Sequence, residues 1–255
     1  MILYRNIHKA FDRPVLSGVE MAVETGEMFA LFGPSGTGKS VLLKTTIALI
    51  TPDLGDVLID GVSVFHSDRK TMERLRRKAG YVFQNAALFD SMTVFENVRQ
   101  GISEAQLKEM RFREALRRVA DALEHVNLEP RSVLSKLPAE LSGGMRKRVG
   151  LARGIVGKPE ILLYDEPVTG LDPVNATIVH QLIDRLGREL GVTSILVTHD
   201  IHGALPISDR VALLDRGRIR FEGSPQEFRD SDDLLVRAFL ERNAQVSSDH
   251  LLEVV

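Results

Sequence analysis

The chain has no cysteine among its 255 residues. That excludes disulfides and thiolate metal sites and fits a reducing compartment. It has no large excess of either charge: 33 Lys and Arg stand against 35 Asp and Glu, for a formal net charge of −2. With no basic tail, nothing points to salt-dependent contacts with phosphodiester backbones, and no nucleic acid is expected as a partner. No apolar run approaches the ~18 residues that a membrane span requires. The opening "MILYRNIHKAFDR" lacks the apolar stretch of a secretory signal. If such a chain works at a membrane, it does so through a partner. There is no internal repeat and no low-complexity segment. What is present, 44% hydrophobic and 27% charged residues, suits a globular protein with a real core.

Several short apolar runs end in a glycine, proline, acidic or polar residue and pass into helical patterns. They are "MFALF" (28–32), "YVFQ" (81–84), "ILLYDEP" (161–167) and "SILVTHD" (194–200). Such runs read as buried parallel strands that carry function at their C-terminal ends. "DVLIDG" and "RVALLDRGRI" read as further strands, the second opening a hairpin. From Glu104 to Val126 the pattern changes: Leu107, Met110, Leu116, Val119, Ala120 and Leu123 recur at helical spacing, with arginines between them as a solvated face. The expected architecture is an α/β core over residues 1–84 and 158–230, a helical subdomain inserted at 85–157, and a C-terminal helix and tail at 231–255. The last residues, "QVSSDHLLEVV", read as a disordered polar tether with an apolar tip.

"GPSGTGKS" (33–40) fits GxxxxGK[ST], directly after a strand and before the helix-like "VLLKTTIALI". In such a loop, made of Gly33, Pro34, Ser35, Gly36, Thr37 and Gly38, the glycines let backbone N–H groups approach phosphates, with the positive helix end behind them. Lys39 reaches the β- and γ-phosphates and Ser40 offers a hydroxyl to Mg²⁺. The pattern predicts binding of a nucleoside triphosphate without naming the enzyme. "ILLYDEP" supplies two carboxylates at a strand end. Asp165 is placed to hold Mg²⁺ and Glu166 to polarise an attacking water. Gln84 and His199 end two more strands, where parallel sheets collect their ligands.

"LSGGMRKRVGLAR" (141–153) raises a second phosphate cradle. Ser142 offers a hydroxyl, while Gly143 and Gly144 expose N–H groups at a helix N-terminus, whose dipole favours an anion. The alternative is a capped helix and nothing more. A phosphate loop leaves the γ-phosphate open on one side, and phosphoryl transfer needs charge stabilised there too. Two copies paired head-to-tail would each close the other's site.

Together, "GPSGTGKS", Gln84, "LSGGM", "ILLYDEP", "TGLD" and "VTHD" resemble, in order and spacing, the ATP-binding cassette (ABC) ATPases, over nearly the whole chain. The resemblance implies a RecA-like P-loop core with an inserted helical subdomain, and ATP held between two cassettes. It makes Gln84 a sensor of Mg²⁺ and water linked to a membrane partner, and Ser142 and Gly144 contacts to the γ-phosphate in the other copy. Asp172 then belongs to a loop crossing the dimer interface, and His199 becomes the γ-phosphate switch. Phe11 sits where these proteins place a ring against adenine; simple core packing is the alternative. Two positions depart from the pattern. Val41 replaces a hydroxyl residue that touches the α-phosphate, and Met145 replaces the usual glutamine.

"GKSVLLK", "ALFDSMTVFENV", "LSGGMRKRVGLAR" and "DDLLVRAFLER" are similar to cassettes of lipid-transport systems associated with mammalian-cell-entry (Mce) proteins, including the maintenance-of-lipid-asymmetry (Mla) type. This resemblance implies integral-membrane permease subunits, an Mce-domain lipid-binding protein and a small regulatory subunit as partners, at the cytoplasmic face of the inner membrane. Phe89, Met92 and Phe95 are candidates to receive a permease helix, against ordinary packing within the subdomain. "HLLEVV" is a candidate to grip the neighbouring cassette. A cassette of another importer or exporter, or a cell-division regulator, stays open as an alternative.

Overall fold

The computed structural model describes residues 1–252, with side-chain surroundings through residue 243. The chain forms two compact units, residues 1–66 with those from Ile195 onward, and residues 67–194. These limits differ from the divisions the sequence patterns suggest, because the second unit takes in two strands as well as helices.

In the first unit, β1 (Ile2–Ala10) and β2 (Pro14–Val23) run antiparallel. The buried strand β3 (Met28–Phe32) then leads through the glycine loop into α1 (Lys39–Thr45). β4 (Leu54–Ile59) and β5 (Val62–Ser63) complete a four-stranded sheet in the order β2-β1-β4-β5. Ile2, Tyr4 and Ile7 of β1 are its buried residues, and the Tyr4 hydroxyl meets Thr46 Oγ1 at 2.5 Å. Burial pushes that phenol up from its ordinary value. Helix α1 is shorter than "VLLKTTIALI" suggests. Thr45 turns its hydroxyl back on the Leu42 carbonyl at 2.7 Å, and Ala48 is left-handed at φ 51°.

The second unit begins with the basic helix α2 (Arg69–Arg77), capped by Asp68, and β6 (Ala79–Val82). Helices α3 (Val94–Arg99), α4 (Glu104–Glu109), α5 (Phe112–His125), α6 (Pro130–Val133) and α7 (Gly143–Ile155) follow, then β7 (Ile161–Asp165) and α8 (Pro173–Leu190). β6 and β7 are parallel, from Ala79 opposite Ile161 to Val82 opposite Tyr164. "YVFQ" therefore stops being strand at Val82, and Phe83 and Gln84 lie beyond it. The helical pattern over 104–126 is carried by two helices, because Met110 is extended at ψ 132°. Helix α5 buries Ala115, Val119, Ala122 and Leu123 and leaves Leu116 exposed. Full burial of Val119 and Leu123 is worth about 1.5–3 kcal/mol each. Arg111, Arg113 and Arg117 are exposed as the pattern suggests, but Arg118 is half-buried and donates from Nε to the Val156 carbonyl at 2.7 Å.

β8 (Thr193–Val197) carries the chain back into the first unit, followed by α9 (Ile201–Ala204), β9 (Arg210–Asp215), β10 (Arg218–Gly223), α10 (Pro225–Arg229) and α11 (Leu234–Leu252). β3 pairs parallel with β9, Phe29 opposite Arg210. The hairpin read in "RVALLDRGRI" is β9–β10, turned by Arg216 and Gly217, both at positive φ as a tight hairpin requires. Phe32 packs its ring on Phe228 and Phe239, at 5.5 and 6.4 Å between centroids. Helix α11 takes in most of the segment read as a disordered tether. The end of "HLLEVV", residues 253–255, lies outside the described residues.

Candidate nucleotide-binding site

In the first unit the loop over residues 33–38 is shaped by three glycines at φ 156°, 81° and 102° (Gly33, Gly36, Gly38). A Cβ on Gly33 would fall inside the Leu214 carbonyl, and one on Gly38 would come within 2.9 Å of Leu16 Cδ2. Gly36 is exposed, and a Cβ added to it would meet nothing within 4 Å. Its role is conformational, and the space above it is available to a ligand. Lys39 is buried, its ammonium bonded to the carbonyls of Gly33 at 2.7 Å and Pro34 at 3.0 Å. The cation is therefore folded across the loop it must serve. Thr37 hydrogen-bonds back to Pro34, Ser35 is exposed, and Ser40 and Val41 are half-buried.

Phe11 lies in the turn between β1 and β2 with its residue 61% exposed, so simple core packing is not its role. Lys9 places its ammonium 5.5 Å from the ring centroid. His199 is exposed just past β8, beside Asp200, which caps α9 through Gly203.

The second unit holds the carboxylates. Asp165, the last residue of β7, is buried, and Oδ2 accepts a hydrogen bond from the Tyr81 hydroxyl at 2.8 Å. Glu166 is buried as well, with φ 49°. That left-handed backbone costs a glutamate about 1–2 kcal/mol and breaks the strand's alternation, so two successive carboxylates need not point to opposite faces. Thr169 Oγ1 donates to Glu166 Oε2 at 3.1 Å. Gln84 is exposed, and its main-chain carbonyl accepts a hydrogen bond from the Lys147 ammonium. Burial pushes that ammonium down, and the Glu166 carboxylate opposes the shift.

Ser142 does cap α7, accepting from the Met145 N–H at 3.2 Å. Ser142 and Gly143 are exposed, whereas Gly144 is buried against Asn175, whose Oδ1 would lie 2.7 Å from an added Cβ. Asn175 in turn donates its N–H and Nδ2 to Asp172 at 3.0 and 2.6 Å. The Asn175 side-chain and backbone bonds hold the Asp172 carboxyl below the usual range. Asp172 thus caps α8, and one asparagine joins it to Gly144 in the first turn of α7.

Sequence reading missed Tyr81, Asn97, Lys147, Arg153 and Asn175. The buried Asn97 accepts from the Phe89 N–H at 2.7 Å and donates to the carbonyls of Phe89, Met92 and Thr93. It fixes the turn that leaves Phe89 exposed. Met92 and Phe95 are half-buried, and Phe95 packs edge-on against Phe112 at 5.7 Å, so ordinary packing claims that ring.

Comparison with known proteins bears on these parts together. The sequence profile of the ABC transporter family matches residues 16–169. The sulfate/thiosulfate import ATP-binding protein CysA of Caulobacter vibrioides is 39% identical over 91% of this chain and 67% of its own length. The intermembrane phospholipid transport system ATP-binding protein MlaF of Haemophilus influenzae is 36% identical over 91% of this chain and 86% of its own. A solved dimer of the ATP-binding cassette MJ0796, in a post-hydrolysis state with ADP and Pi, superposes with a TM-score of 0.77 at 31% identity. That match covers 88% of this chain and 99% of the cassette. With the family profile matched over residues 16–169 and relatives 36–39% identical over about nine-tenths of it, the chain belongs to the ABC transporter family and is an ATP-binding ATPase of it.

Proposed function

We propose that the chain is the energy-coupling subunit of a membrane transporter for phospholipid or a related envelope lipid. The likeness to MlaF across 86% of that protein's length carries this reading, supported by the sequence resemblance to Mce/Mla-type cassettes. In it, Gly33, Pro34, Ser35, Gly36, Thr37, Gly38, Lys39, Ser40 and Val41 bind the phosphates and Phe11 stacks on adenine. The open space at Gly36 and the Lys39 ammonium folded over the loop support the assignment.

The donor set suits Mg²⁺: the Ser40 hydroxyl, the Asp165 carboxylate and the Gln84 amide are hard oxygen donors. Among the described residues no group of three or more His, Cys, Asp or Glu is placed to hold a metal ion. The ion, when bound, neutralises phosphate charge. Glu166 polarises the water, His199 reads the γ-phosphate, and Gln84 connects the site to the permease. Ser142, Gly143, Gly144 and Asp172 contact nucleotide in a second copy, a pairing supported by the dimeric MJ0796 cassette. ATP binding closes the pair, the permease changes state, and hydrolysis resets it.

Among the described residues no helix is long and apolar enough to cross a membrane. We assign the chain to the cytoplasmic face of the inner membrane through permease subunits, with exposed Phe89 at that contact, and with an Mce-domain protein and a small regulatory subunit in the assembly. The 39% identity to CysA favours a second reading, an importer of a small solute. Purification of the tagged chain from solubilised membranes, with mass spectrometry of what accompanies it, separates the two. A permease together with an Mce-domain protein is expected. A permease with a soluble solute-binding protein would overturn the lipid assignment.

A further inference from the structure

Helix α7 grips the backbone after β6 from one side. Lys147 donates its ammonium to the Gln84 carbonyl. Six positions on, Arg153 donates Nη1 to the Ala87 carbonyl at 2.7 Å and Nη2 to the Ala86 carbonyl, while its guanidinium lies 5.8 Å from the Phe83 ring centroid. Between the two cations sits Gly150. A Cβ there would come within 3.0 Å of Ala86 Cβ and 3.2 Å of Ala86 Cα, so helix and loop meet with only the Ala86 methyl between them. Lys147 and Ala86 are buried, yet Gln84 and Asn85 are exposed.

The gripped backbone is one that alanine disfavours. Ala86 and Ala87 are consecutive left-handed residues, at φ 58° and 46°. Neither is glycine, so the turn does not persist by its own preference, and backbone held in such a region persists where its surroundings over-determine it. Two charge-assisted donors on three carbonyls supply that constraint. The end of the same segment is fixed separately by Asn97 on Phe89.

We propose that Lys147 and Arg153 are positioning residues of the ATPase. They hold residues 84–87 in the left-handed turn that presents the Gln84 side chain, and they tie its setting to the helix whose start carries Ser142, Gly143 and Gly144. A displacement of α7 by its nucleotide contact is then felt at Gln84 through two side chains of the same helix. The proposal rests on the roles given above to Gln84 and to the start of α7. The sequence pattern is silent about it, since neither Lys147 nor Arg153 belongs to a motif that assigns it a contact.

The test compares Lys147→Met, Lys147→Arg and Arg153→Met in the full chain. Amide hydrogen exchange is read over residues 84–90, with ATP hydrolysis and the affinity of a fluorescent ATP analogue measured alongside. In Lys147→Met, exchange over that stretch speeds by about tenfold while α8 amides hold their rates. The catalytic rate falls by about tenfold or more, with nucleotide affinity within about twofold. Lys147→Arg restores both, and Arg153→Met repeats the local loosening. Unchanged exchange in both methionine variants overturns the clamp, whatever the activity. A loss of nucleotide affinity in step with the rate overturns it too, by making Lys147 a ligand contact. Gln84→Ala separates the clamp from the reading beneath it. If that variant turns over at full rate, the role of Gln84 is wrong even where the exchange result stands. If it is slow, adding Lys147→Met should slow it no further, and an additive loss would show that Lys147 does not act through Gln84.

Discussion

The Tyr81 hydroxyl donates to Asp165 Oδ2 at 2.8 Å, joining the strands β6 and β7 at the residue assigned to the metal. Both residues are buried. A hydrogen bond to a buried carboxylate is worth about 1.5–3 kcal/mol. Tyr81→Phe is therefore expected to lower unfolding stability by about that amount in urea titration. The carboxylate also loses a partner that fixes its rotamer, so the Mg²⁺ concentration for half-maximal hydrolysis should rise. If both quantities stay at their wild-type values, Tyr81 does not orient Asp165.

Gly144 and Asn175 touch so closely that only glycine fits without rearrangement, and Asn175 is already committed to Asp172. Gly144→Ala should displace the asparagine at a cost of about 1–3 kcal/mol and slow hydrolysis by disturbing Asp172. Because the clash is with a side chain, Asn175→Ser in the same chain should recover part of the stability. A double-mutant cycle checks this. Strict additivity of the two changes would mean that the pair is not coupled.

Ser142 and Gly143 are exposed at the start of α7 in the single chain, as an element awaiting a second copy would be. Ser142→Arg is expected to block steady-state hydrolysis and leave ATP binding by single subunits measurable by fluorescence titration. Loss of nucleotide binding by monomers would instead put Ser142 on its own chain's nucleotide.

How much of this was legible in the sequence differs from residue to residue. "MFALF" maps onto β3 without error, because a fully buried strand is an unbroken apolar run with clear ends. The hairpin β9–β10 was legible from Arg216-Gly217 between two apolar patterns. The break between α4 and α5 leaves no mark in the pattern over 104–126, because Met110 is apolar, at helical spacing, and extended. Leu116 joined the expected buried face on hydrophobicity alone, although α5 turns Ala115 and Ala122 inward instead. Among functional groups, those with a motif were found and those acting through a contact were not. Lys147, Arg153 and Asn97 work by bonding main-chain carbonyls far away or across a turn, and such contacts leave no periodic trace. Glu166 was found as a carboxylate, but its left-handed backbone was invisible to pattern.

Acid should unfold the protein partly through its helix caps. Glu96 accepts from the Thr93 N–H and hydroxyl, both at 2.8 Å, and Glu227 accepts from those of Ser224 at 2.7 and 2.8 Å. The backbone bond foremost, then the hydroxyl bond, holds each carboxyl below its ordinary 4.5. A folded-state value below the unfolded one means stability that is fully present above 4.5 and lost as pH falls through the folded value. The melting temperature should therefore decline in that acid window. Replacing both residues, Glu96→Gln with Glu227→Gln, should flatten the decline while lowering the neutral-pH value slightly. An identical acid slope in wild type and the double variant would exclude the caps.

Glu166→Gln isolates the role given to the second carboxylate. Glutamine keeps the size of the side chain and accepts the same hydrogen bond from Thr169 through its amide oxygen. The left-handed φ of 49° is as accessible to glutamine as to glutamate, so the backbone strain is unaltered and the fold should be retained. What is lost is the capacity to take a proton from water. Turnover should then fall by about 10²–10⁴-fold, ATP affinity should hold, and an ATP-bound pair of chains should accumulate because hydrolysis no longer resets it. Single-turnover hydrolysis with labelled ATP and light scattering of the loaded protein read the two effects. Undiminished steady-state hydrolysis would remove Glu166 from the chemistry, and turnover lost together with ATP affinity would make it a binding residue instead.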